Sequence, residues 1–219
     1  MTRGYEVSHL LAGIMLVTGF ALLYQERIGA VLKTFAAQSI TLALAVAWAA
    51  LSQDRSELFI TALIALCLKG IVIPVALHRT VVRLGIHREV EKVVGVGIAL
   101  IVGLVLTGLA QALLMKVAQG TASHAREELA LALAIILLGF LMMIVRRNAV
   151  TQVVGFMSME NGLILAATGA RGMPLVVEVS VAFSVLIALF VFAVFVFRIR
   201  ERFDTIDIEA LDRMRGETR

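Results

Sequence analysis

Three ionisable residues fall where water is scarce. Glu160 lies near the middle of the run 149–169 (AVTQVVGFMSMENGLILAATG), otherwise almost wholly apolar and long enough to cross a bilayer. Lys69 lies at similar depth in LCLKGIVIPVALH, and Glu178 follows Pro174 by four residues in PLVVEVSVAF. A charge at membrane depth is costly and by default marks a proton relay, an ion path or a buried pair. A carboxylate balanced between desolvation and a nearby cation can take up and release protons, which is what a relay requires. Glu160 is equally readable as a static packing group. Glu178, near the outer interface, also suits a helix N-terminus as a simple end-of-helix acid. Lys69 is too deep to snorkel, so it pairs with an acid or lines a hydrated path. Lys33, about one turn inside its span, can snorkel.

Other polar groups can serve these three. Asn161, Ser158 and Gln152 share the helix of Glu160, Gln38 lies within the second apolar run, and Ser184 follows Glu178 in the last. Gly155 and Gly162 allow another helix or water to approach closely. Pro74 removes a helix hydrogen bond and frees a carbonyl near residue 70, which predicts a kinked helix with exposed backbone beside Lys69. At about 1.5 Å per residue, Glu160 is roughly 16 Å from one end of its helix and Glu178 about 6 Å from the opposite face, close enough to be linked directly or through water.

No catalytic residue and no metal ligand set emerges. His9, His78, His87 and His124 lie at span ends or in loops, where a membrane di-haem site cannot form. The single cysteine, Cys67, excludes an internal disulfide and an iron–sulfur cluster held by this chain alone. There is no nucleotide-binding glycine loop and no Ser/His/Asp set. We therefore expect no cofactor, and nothing in the charge requires nucleic acid.

The elements that carry these residues are read from hydropathy. The chain is 60% hydrophobic with two prolines in 219 residues, and its mean hydropathy is +0.97. A membrane helix needs about 20 mostly apolar residues. Seven segments qualify, at 7–24, 28–51, 57–78, 93–115, 126–145, 149–169 and 174–197. The first follows MTRGYEVSH and reads as a full span, not a cleavable signal. Lys and Arg are unevenly distributed: thirteen fall on the side of Arg27, Arg79, Arg146 and the tail, and five on the side of Arg3, Arg55, Lys116, Arg126 and Arg171. The positive-inside rule then puts the amino terminus outside and the tail in the cytoplasm. Glu57 and the Arg126–Glu127–Glu128 group are interfacial.

A shift of about 120 residues lays GFALLYQERIGAVLKTFAAQS (19–39) over GFLMMIVRRNAVTQVVGFMSM (139–159). A three-helix unit ends on the opposite side from where it began, so a same-way-up duplication needs one extra crossing, and 93–115 supplies it. The expected architecture is an all-α polytopic membrane protein with two parallel three-helix repeats joined by one crossing helix. Its parts are residues 1–78, a cytoplasmic loop plus linking helix at 79–125, a second unit at 126–197, and a cytoplasmic tail at 198–219. The tail alternates Phe203, Ile206, Ile208, Leu211 and Met214 with charges and predicts a short amphipathic piece docked on a partner.

The block VRRNAVTQVVGFMSMENGLILAATG (145–169), then MPLVVEVSVAF and IDIEALDRMRG, resembles the K subunit of respiratory complex I. Along most of its length the chain resembles still more closely the hydrogenase-4 component E family of formate hydrogenlyase and related group 4 membrane hydrogenases. The resemblance implies a non-catalytic subunit of the bacterial or archaeal cytoplasmic membrane, in contact with antiporter-like and anchor subunits and with lipid, and only indirectly with a redox arm. It would contribute to proton translocation or coupling. The family's glutamate corresponds in position to Met157, with Glu160 one turn on; the second family glutamate has no acid near Ala188. Glu160, Glu178 and Lys69 are the positions carried over. The alternatives are a component like the C subunit of a multisubunit cation/proton antiporter, and a purely structural membrane clamp.

Overall fold

Runs that are apolar on every side have one stable solution, a helix whose backbone is satisfied internally. The computed structural model describes residues 2–83, 93–117 and 123–169. They form α1 (Thr2–Tyr24), α2 (Ile28–Gln53), α3 (Glu57–Ile64), a π-helical segment (Ala65–Val72), α4 (Ile73–Arg83), α5 (Val96–Val117), α6 (Ser123–Val145) and α7 (Ala149–Gly169). The segments α3, π and α4 follow one another without a break, so the described residues contain six helical stretches long and apolar enough to cross a membrane. The seventh expected span, with Glu178 and Ser184, and the tail lie outside the described residues.

The expected limits hold to within a few residues, with two differences. Helix α1 starts five residues earlier, at Thr2, and the third crossing continues past residue 78 to Arg83. Pro74 itself lies in regular α-helix, in the first turn of α4, and the irregular stretch precedes it. The backbone is widened into π geometry from Ala65 to Val72, and the N–H of Ile73 reaches back five residues to the carbonyl of Leu68. Lys69 sits inside this wider turn, where helix irregularity often accompanies function.

Helix α6 packs most intimately on α7, and α1 lies against both α2 and α6. Helix α2 touches α7 and the whole third crossing, while α5 leans on α6 and the edge of α1. Glycines set the α6–α7 distance. A Cβ on Gly139 would meet the Met159 amide nitrogen at 2.5 Å, and one on Gly162 would meet the Ala132 carbonyl at 3.0 Å. The close approach expected at Gly155 and Gly162 is thus taken by α6. Two apolar clusters fill the bundle, one around Phe35, Leu138 and Met157, the other around Met15, Leu42 and Ile164. Outward-facing Val17, Ile60, Ile101, Leu104 and Ile144 form an apolar belt of the kind that faces lipid or another membrane subunit.

The ends are tied by polar groups. Asn148 caps α7 by accepting from the Val150 amide at 2.9 Å. Helix α2 ends at Asp54, whose φ of 53° is the left-handed conformation that short polar side chains tolerate. Next to it, Gln53 Nε2 donates to the Thr168 carbonyl at 3.0 Å and joins the end of α2 to that of α7.

Candidate functional site

Lys69 and Glu160 meet. The Lys69 Nζ lies 3.1 Å from Glu160 Oε2, with 2% and 3% of the side chains exposed. Two charges are stable in such a place only when paired and hydrogen-bonded. The same ammonium donates to Asn161 Oδ1 at 3.1 Å. One lysine from the π segment therefore bridges two consecutive residues of α7, ninety-odd positions away in sequence.

Asn161 extends the contact. Its Nδ2 donates to Gln38 Oε1 and to Ser39 Oγ, each at 3.3 Å. Gln38 Nε2 in turn donates to the Met15 carbonyl at 3.3 Å, which also accepts from Thr18 Oγ1 at 2.8 Å. Lysine has donors only, so it faces the amide oxygen, and the amide nitrogen is left for the acceptors on α2. The direction of every bond in the chain follows from that one constraint. Four helical elements, α1, α2, the π segment and α7, are joined by buried polar groups midway along their lengths.

Of the expected supporting positions among the described residues, two join the pair and one does not. Gln38 and Asn161 are buried members of the network. Gln152 is exposed on α7 and donates to the Arg146 carbonyl at 2.9 Å, so it is a helix-start contact and does not support Glu160. The reason is phase: eight residues separate it from Glu160, about 80° around a helix of 3.6 residues per turn. Ser158 is buried in α7. Glu178 and Ser184, expected beside Glu160, lie outside the described residues.

Sequence reasoning missed Ser39, Thr18 and the Met15 carbonyl, although Gln38, Ser39 and Thr41 are a polar group within an apolar helix and were a usable signal. Arg146, which the sequence offers only as one of the loop cations counted for orientation, has a packing role. Arg146 is 1% exposed. Its Nη2 donates to the carbonyls of Leu22, Leu23 and Gln25 at 3.2, 2.7 and 2.8 Å. A cation there satisfies orphan acceptors at the C-terminus of α1 and complements its dipole. Burial pushes the guanidinium pKa down, and the negative charge of Glu26 acts against that. No group of three or more His, Cys, Asp or Glu side chains able to hold a metal exists among the described residues.

The whole chain has distant relatives. It is 26% identical over 208 residues to an uncharacterized protein of Mycobacterium tuberculosis, covering 93% of this chain and 94% of that one. It is 24% identical over 215 residues to hydrogenase-4 component E of Escherichia coli, covering 97% and 99%. The Shigella flexneri component E matches to the same extent. No family model and no solved structure matches the chain.

Proposed function

We propose that this chain is a non-catalytic integral membrane subunit of a hydrogenase-like or complex-I-like oxidoreductase, and that its Lys69–Glu160 pair couples events in the redox arm to proton movement. The observation that carries the reading is the buried contact of 3.1 Å between Lys69 and Glu160. The similarity to hydrogenase-4 component E over nearly the full length of both chains supports the choice of complex. It also favours this reading over an antiporter subunit of only three helices.

Chemically, the pair is a two-position device. When Glu160 takes a proton, the ammonium loses its ionic partner but keeps the neutral acceptor Asn161 Oδ1. Loss of that proton restores the full attraction. Buried charges respond strongly because little water screens them. The amides of Asn161 and Gln38 do not titrate near neutral pH, and their chain ends on a backbone carbonyl. They therefore orient the lysine and leave proton delivery to another route, through partner subunits or the last span with Glu178.

The proposed arrangement is two parallel three-helix repeats with α5 as the extra crossing, amino terminus outside and tail in the cytoplasm. Two features support it. The first helices of the units, α1 and α6, pack on each other, and so do the second helices, α2 and α7. The hairpins α1–α2 and α6–α7 each turn through three residues, 25–27 and 146–148. The expected partners are antiporter-like and anchor subunits within the cytoplasmic membrane, which the outward apolar belt and the tail would contact.

A structural clamp would also bury a charge pair, yet apolar residues of matching size clamp helices at least as well as ions do. Isolation of the tagged chain from native membranes in mild detergent tests the assignment. Hydrogenase-type large and small subunits should come with it; a stable assembly containing antiporter subunits and no redox subunit would contradict it.

A further inference from the structure

Lys69 places its charge between two buried oxygens. Its ammonium is 3.1 Å from Glu160 Oε2 and 3.1 Å from Asn161 Oδ1. Gln38 Oε1 and Ser39 Oγ fix the Asn161 amide from behind, so that its oxygen is the atom presented. A carboxylate oxygen and an amide oxygen converging on one buried point are hard ligands suited to small cations of low polarisability. The lysine supplies the charge that these oxygens attract.

We propose that the Lys69 ammonium is a tethered cation that fills this site and keeps sodium out, so that Lys69 makes the Glu160 site selective for protons. A sodium ion at the same oxygens would stand within about 4 Å of the ammonium. At the effective dielectric of buried pairs, that repulsion weakens binding on the order of a thousandfold. A proton escapes this limit, because it joins the Glu160 carboxylate covalently and adds no separate ion beside the ammonium. Shortening Lys69 to alanine removes four heavy atoms and leaves room for an ion with one or two waters, each water taking about 30 Å³. The Asn161 oxygen stays in place because α2 holds the amide, and Glu160 is the adjacent residue of α7.

The inference rests on reading Glu160 as a protonation site, and its test is separate from coupling. Full-length protein in its native complex is equilibrated with radioactive sodium, with choline as the competing control salt. The wild type should retain none above background. Lys69→Ala and Lys69→Ser should each gain saturable sodium binding, at least about tenfold over the wild type, and Glu160→Gln added to either should abolish it. Folded single variants that gain no sodium would overturn the proposal, as would saturable binding by the wild type. Should neither variant fold, the wild type decides through proton transport. Transport unchanged when choline replaces sodium supports the tethered cation, and transport that needs sodium refutes it. Sodium binding is read without electron transfer, so unimpaired proton pumping by Glu160→Gln would fail the coupling role alone.

Discussion

Lys69 Nζ and Glu160 Oε2 lie 3.1 Å apart, each side chain almost wholly sealed from the surroundings, and they join the third crossing to the sixth. The two residues come from segments separated by the entire linking helix α5 and by α6. Their meeting depends on α2, which lies against both the π segment and α7.

Removing one member of this pair strands the other. Lys69→Met or Glu160→Leu alone should cost about 3–5 kcal/mol, the usual penalty for an uncompensated buried charge. The double variant should recover most of that loss, because two apolar chains of similar size suit the site. Unfolding of the purified protein, followed by denaturant titration in micelles, measures all three; an additive double variant would show that the contact carries no coupling energy.

Helices α6 and α7 are close because three glycines let them be. Gly139→Ala brings a Cβ to 2.5 Å from the Met159 nitrogen, a backbone atom that cannot rotate away. It should destabilise by about 1–3 kcal/mol. Gly13→Ala meets nothing within 4 Å and should be close to neutral. Thermal inactivation of the assembled complex compares them, and equal midpoints for the two variants would refute the packing account.

Arg146→Ala leaves the Leu22, Leu23 and Gln25 carbonyls at the end of α1 without their shared donor. Buried unsatisfied groups cost about 1–3 kcal/mol each, so the variant should fray α1 and raise hydrogen exchange at residues 22–25. Arg146→Lys should rescue only part, since one ammonium cannot reproduce the planar fork. Full protection in Arg146→Ala would contradict the capping role.

The proposed orientation is accessible to labelling. With Cys67 replaced by serine, a cysteine at Arg147 should react with a membrane-impermeant thiol reagent only in inverted vesicles, whereas one at Arg55 should react only in right-side-out cells. The opposite pattern would reverse the topology.

Much of this was legible in advance. The six spans among the described residues follow from hydropathy alone, because in lipid an apolar run of sufficient length has little choice but to be a helix. Lys69 and Glu160 stood out as charges without water, and pairing with an acid was one of two readings open for the lysine. What could not be read was which faces meet. Helices that are apolar all round carry little amphipathic phase, so the polar group at Gln38, Ser39 and Thr41 marks a buried face without naming Asn161 as its partner. The packing role of Arg146 is hidden for a related reason. A basic residue beside a span end reads as a solvated anchor, and only tertiary packing turned its guanidinium into the α1 terminus. The π geometry over Ala65–Val72 begins nine residues before Pro74, farther than the local effect of the missing N–H.

The coupling role of Glu160 is tested most directly by the number of protons moved per electron in inverted vesicles containing the assembled complex. For Glu160→Gln, which keeps the size of the side chain and offers the Lys69 ammonium an amide oxygen in place of the carboxylate, the account predicts an assembled though less stable complex and near-normal electron transfer, with uncoupler-sensitive acidification largely lost. A wild-type proton-to-electron ratio in that variant would contradict it.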